Sequence, residues 1–136
     1  MHFVPIQTTH EELRRWKDHW LPFLPKISQR SKEPIDQLLD DIAAKRVQLG
    51  LAWDGERAHA LLGIQYRKSG DVLIGELIWA TGEGMKEWRD LIDEVEQYLR
   101  EHIGCSEVRP ICRPGWARML RKRGYRITHY VMEKSL

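Results

Sequence analysis

A chain of 136 residues is long enough for one packed core and too short to expect two. Apolar residues at 42% and charged residues at 31% exclude a disordered segment, and nowhere do about 18 apolar residues run together as a spanning helix requires. The formal net charge of +2 is too small to mark a polyanion-binding protein by bulk charge alone.

From the N-terminus, HFVPIQ reads as a short first strand. Thr9 followed by Glu12 is a capping-box signature, and Leu13, Trp16 and Trp20 mark the inner face of the helix it opens. Pro22 and Pro25 are expected to stop that helix. A second begins between Ser31 and Pro34, with Ile35, Leu38, Leu39 and Ile42 at helical spacing. The period then changes to two. VQLGLAW, the turn DGER, AHALLGIQYR, the turn at KSGD and VLIGELIWA predict an antiparallel meander of three strands.

Met85, Trp88, Leu91, Ile92, Val95, Leu99 and Ile103 then recur at three and four residues, which predicts a helix ended by Gly104. SEVRPIC predicts a strand, PGWARMLRKRG a short helix between Pro114 and Gly124, and YRITHYVMEK a last strand. The order β-α-α-β-β-β-α-β-α-β describes a single α/β domain over residues 1–136, with a mixed sheet and a β-α-β unit from Val72 to Cys112. Six tryptophans suggest a well-filled core.

Scattered histidines and two cysteines without metal-ligand spacing predict no metal, no disulfide and buried free thiols at Cys105 and Cys112. The start MHFVPIQTTHEELRRW has no apolar stretch that reads as a signal peptide, so a cytoplasmic location without membrane association is expected.

The order of elements resembles the GNAT superfamily of acyl-CoA-dependent N-acetyltransferases over nearly the whole chain. The end, GWARMLRKRGYRITHYVMEKSL, is similar to that family's last helix, its Gly-aromatic pair, here Gly124-Tyr125, and its final strand. The resemblance implies a sheet splayed after the fourth strand to admit acetyl-CoA, with an amine as acceptor. It also aligns IWATGEGMKEW with the family's pyrophosphate loop, which makes Trp79, Ala80, Thr81, Gly82, Glu83, Gly84, Met85 and Lys86 the candidate cofactor-binding residues. Such a loop works because successive backbone N–H groups converge at a helix N-terminus. Thr81 stands where the family has Gln or Arg, and Lys86 takes a position the family keeps small. A tight turn without a ligand is the competing reading of the same residues.

Glu76, within GELIWA, matches the family's frequent strand glutamate and is the candidate base for the acceptor amine, or else a solvent-facing residue. The family's tyrosine acid is replaced by Leu120, and Pro114 stands for a frequent asparagine; Tyr125, His129 or Tyr130 could substitute, with Tyr125 the catalytic candidate. An acyl-cysteine route through Cys112 has no histidine positioned by the sequence to support it.

Two further readings compete with the enzyme. One is a catalytically inactive GNAT-fold binding or assembly protein with a protein partner. The compact size and the tail resemble small GNAT-like proteins of bacteriophages and prophages, some of them associated with the virion. The other is a nucleic-acid-binding domain, resting on Arg109, Arg113, Arg118, Arg121, Lys122, Arg123 and Arg126. No interleaved aromatic pattern defines such a module, so a solvated helix face is the simpler account and nucleic acid is not expected as a partner.

Overall fold

The computed structural model describes residues 1–82, 86 and 89–136. Its sheet has five strands in spatial order β1-β2-β3-β4-β5: His2–Pro5, Gln48–Trp53, Ala58–Ser69, Val72–Gly82 and Glu107–Pro110. The first four pair antiparallel, and β5 joins β4 in parallel. The mixed sheet and the β-α-β unit follow the sequence pattern.

The N-terminal helices differ in detail from expectation. Thr9 accepts from the Glu12 backbone N–H at 3.2 Å, the first half of the capping box, while the Glu12 carboxylate accepts from Trp16 Nε1 at 3.2 Å. The helix breaks at Trp16, giving α1 (His10–Arg15) and α2 (Lys17–Trp20). Pro22 and Pro25 do not end the helical path. Each occupies a first-turn position, where a missing N–H costs nothing: Pro22 in the 3₁₀ turn Leu21–Phe23 and Pro25 in α3 (Leu24–Ser31). Lys32, left-handed at φ 62°, closes α3, and α4 (Ile35–Ala43) starts after Pro34.

Alternation along the strands divides the core into two layers. Leu49, Leu51, Leu61 and Trp79 face α1–α4, where Trp20, Leu24, Ile27, Leu38 and Ile42 fill the space. Ala60, Leu62, Ile64 and Leu77 face the opposite side, covered by α5 (Leu91–Tyr98) and α6 (Pro114–Arg121). Leu91, Ile92, Val95 and Leu99 form the buried face of α5 and its π-turn continuation, Leu99–Ile103, as their spacing predicts. Gly104 stops it at φ 87°. Met85 and Trp88, assigned to the same periodicity, lie outside the described residues.

The last strand expected at YRITHYVMEK does not form. Residues 125–136 carry no regular structure, with Tyr130, Val131 and Met132 exposed. Alternation creates a strand only where a neighbouring edge supplies hydrogen bonds. This segment takes none of the sheet's backbone pairings. Beyond Tyr125, Glu133 forms an ion pair with Lys32, the C-cap of α3, at 3.1 Å.

Candidate functional site

Two irregularities shape one end of the sheet. Gly63 pairs with Trp79 but Ile64 with Leu77, so Ile78 is an extra residue bulged out of β4. At the same place β5 ends: its ladder covers Ile74–Leu77 opposite Glu107–Pro110, and the last contact is Ile111 N–H donating to Leu77 O at 3.0 Å. Among the described residues, Trp79–Gly82 of β4 therefore pair with β3 alone. Their other edge, towards β5, is open, which is the splay expected after the fourth strand. The Arg30 guanidinium, from the end of α3, donates to Ala80 O at 3.5 Å over this opening. Arg113, ahead of α6, lies close enough to depress the Arg30 pKa, after the larger effect of desolvation.

The candidate cofactor residues do not form one loop. Trp79, Ala80, Thr81 and Gly82 belong to β4. Trp79 is buried against the N-terminal helices, and Ala80 is exposed. Thr81 is 2% exposed, and its hydroxyl has no hydrogen-bond partner among the described residues. Gly82 is required by its neighbours: a Cβ there would lie 2.3 Å from His59 O and 2.6 Å from Ala60 Cα. Lys86 is exposed, while Glu83, Gly84 and Met85 lie outside the described residues.

Glu76 sits on β4 opposite Gln65 on β3 and Arg109 on β5, immediately before the ladder with β5 ends. It is 9% exposed, and its Oε1 lies 3.8 Å from Arg67 Nε. The solvent-facing reading of this residue is thus corrected: alternation turns it onto the face that carries the N-terminal helices.

Tyr125 packs against the α5–α6 core and donates its hydroxyl to Glu96 Oε2 at 2.6 Å. Burial, then that carboxylate, push the phenol well above its ordinary range. Leu120 is buried in the same core. His129 and Tyr130 fall in the exposed terminal segment. Cys105 is buried as expected, but Cys112 is exposed, correcting the expectation of a second buried thiol; desolvation raises both thiols, the opposite of nucleophile activation. The basic run is partly neutralised, Arg123 by Asp90 and Asp93 and Arg109 by Glu107. Trp116 packs on the core below α6.

Sequence reasoning missed one constellation. In the β2–β3 turn, Asp54 Oδ1 accepts from the backbone N–H groups of Glu56 and Arg57 at 2.8 and 2.9 Å. Its other oxygen, Oδ2, lies 2.6 Å from His59 Nε2. His59, then these two N–H groups, hold the Asp54 carboxyl well below the usual range. Residues Asp54 and His59 meet because His59 is itself a bulge residue: Ala52 pairs with Ala60 but Trp53 with Ala58. The DGER turn was legible, whereas the bulge that aims the histidine back at it leaves no period in the sequence.

No cluster of three or more metal-ligating side chains occurs among the described residues, and no described helix is long and apolar enough to cross a membrane. No family model matches the chain, and no curated protein matches it. Solved structures do. A probable acetyltransferase superposes with a TM-score of 0.70 at 15% identity over 99% of both chains. The ribosomal-protein-alanine N-acetyltransferase from Brucella melitensis biovar Abortus 2308 gives 0.66 at 11% identity, covering 98% of each chain. A transcriptional regulator from Bacillus halodurans C-125 gives 0.65 at 14%, covering 99% of this chain and 100% of its own. Likeness at these identities is likeness of fold.

Proposed function

We propose that this chain, which has the GNAT acetyltransferase fold, transfers an acetyl group from acetyl-CoA to an amine. The observation that carries the proposal is the one-sided edge of β4 from residue 78 to 82, opened by the bulge at Ile78 and the end of β5 at Pro110. An extended, amide-bearing chain such as pantetheine needs a strand edge with backbone N–H and C=O groups to spare, and this edge fits it. The buried Thr81 hydroxyl on the same strand, which has no hydrogen-bond partner among the described residues, is a further polar group that supports the proposal.

Acetyl-CoA, when bound, supplies an acyl thioester with a good leaving group. The residues proposed to hold it are Trp79, Ala80, Thr81 and Gly82 through their backbone, with Glu83, Gly84, Met85 and Lys86 proposed for its phosphates. Glu76 is proposed as the proton acceptor. Its place at the root of the opening would let it take the amine proton directly or through one water. Arg30 and Arg113 would bring positive charge to the lips of the opening, where an oxyanion develops.

The test is a thermal-shift titration with acetyl-CoA together with a thiol-release assay over a panel of amines. Stabilisation by mass action and amine-dependent coenzyme A release are the expected results. A protein stabilised by acetyl-CoA that releases no thiol with any amine would favour the second reading, a GNAT-fold binding or assembly protein. One observation leans that way. The Tyr125 hydroxyl, the candidate acid, is already donated to Glu96.

A further inference from the structure

From the cavity beside the Asp54–His59 pair we infer that this chain has a dedicated acceptor subsite, one that takes the C-terminal end of a short peptide-like molecule. The inference rests on the acetyl-transfer reading and names the substrate class for it.

The cavity has a volume of about 170 Å³ and is lined by Phe23, Arg57, Ala58 and His59. That is room for about five waters, or one small residue. Its chemistry is specific. Nε2 of His59 faces the ionised Asp54, so in the neutral ring Nε2 carries the proton and Nδ1 is the lone-pair nitrogen. Nδ1 has no hydrogen-bond partner among the described residues, and the His59 side chain keeps 20% of its surface exposed. Arg57 offers a guanidinium with no acidic partner among the described residues. Phe23 supplies an apolar wall.

An acceptor for an N–H, a cation for a carboxylate and an aromatic wall, set side by side, match a terminal peptide unit. The peptide N–H would donate to Nδ1, the carboxylate would pair with Arg57, and the chain between them would lie against Phe23. Asp54 acts through His59, fixing its tautomer and its ring orientation, and is a positioning residue.

Helix α3 connects the subsite to the opening in β4. Phe23 immediately precedes α3, and Arg30, near the end of that helix, reaches Ala80 O on the open strand. The helix between them is about 12 Å long. A short extended peptide anchored at its carboxylate in the cavity would run along α3, whose length is on the order of 12 Å, to bring its amine towards the open edge. On the sheet itself, the carbonyl of His59 abuts Gly82, the last residue of that strand.

The test uses triglycine and its C-terminal amide with the full-length protein. The His59 ring resonances, assigned by loss in His59→Phe, are followed by NMR during titration. Triglycine should shift them saturably, and the amide should bind about tenfold more weakly, a difference Arg57→Ala should erase. In turnover assays His59→Phe should raise the triglycine KM about tenfold, with kcat within about twofold and the acetyl-CoA thermal shift unchanged. Asp54→Asn should raise that KM less, with the ring shifts retained but altered in tautomer pattern. Unmoved His59 resonances at millimolar triglycine, or equal binding of the acid and its amide, would overturn the subsite. A wild-type protein that binds triglycine at His59 and shows no response to acetyl-CoA would instead sink the acetyl-transfer reading alone.

Discussion

Tyr125, which follows Gly124 in the turn after α6, donates its hydroxyl to Glu96 on α5, 2.6 Å away. The same side chain packs into the core between the two helices. Tyr125→Phe keeps that packing and removes the hydrogen bond, so it should destabilise the protein by about 1 kcal/mol, measured by urea unfolding. If the phenol only ties helix to helix, kcat stays within about twofold of wild type. A loss of turnover of about 10²-fold at unchanged stability would restore it as an acid.

Alkaline pH should weaken the fold by a related route. Burial first, then neighbouring groups, raise the phenols of Tyr66 and Tyr125. A group whose pKa is higher folded than unfolded contributes its full stabilisation below the unfolded value, about 10 for tyrosine, and loses it as pH rises beyond. The urea midpoint should therefore hold up to pH 10 and fall above it, and Tyr125→Phe should flatten that fall. A midpoint constant to pH 12 would contradict the assignment.

Gln48 is a buried polar side chain with full employment. Its Nε2 donates to Tyr98 Oη at 2.8 Å and to Ile6 O at 3.3 Å, and its Oε1 accepts from the Tyr66 hydroxyl. Gln48→Leu, similar in volume, strands these partners in the core. About 2–4 kcal/mol of stability should be lost in chemical denaturation, more than replacement of either tyrosine hydroxyl costs alone.

Gly82→Ala tests whether that glycine serves the sheet. The added methyl collides with the His59 carbonyl and Ala60, so a loss of about 1–3 kcal/mol is expected whether or not acetyl-CoA is present. Unchanged stability with weakened acetyl-CoA binding would assign Gly82 to the cofactor alone and not to the sheet.

Glu76→Gln addresses the proposed base. Turnover should fall about 10²-fold at neutral pH, with little change in acetyl-CoA affinity. The deficit should narrow as pH rises, because an amine that is already neutral needs no base. An equal deficit from pH 6 to 10 would assign Glu76 to its contact with Arg67.

What the sequence disclosed depended on period. The meander, the buried face Leu91, Ile92, Val95 and Leu99, and the Thr9 cap were legible because each repeats or punctuates a regular backbone. Pro22 and Pro25 misled because proline ends one helix and begins another with the same φ. The terminal segment misled because its alternation says nothing of whether an edge lies within reach. The candidate site was legible in part: Glu76 and the opening after the fourth strand came from family resemblance. The bulges at His59 and Ile78 did not, since one extra residue in a strand leaves composition and spacing almost unaltered.

The strand order β1-β2-β3-β4-β5 means that every strand lies beside its neighbour in the chain. Local pairings close small loops and cost little entropy, so the β3–β4 hairpin, tied by the short turn at Gly70, should nucleate folding, with β2 next. β5 must wait for a crossover through α5, and it then secures only four residue pairs. Folding and opening are thereby polarised. The rigid wall of the proposed site, β4, is built first and held longest, while the β5 side arrives last and is the first to detach, so hydrogen exchange at β5 should outpace that of β3 and β4. A cleft assembled in that order can widen and narrow for an incoming molecule at the expense of its weaker lip, while the strand that would carry the chemistry stays in register.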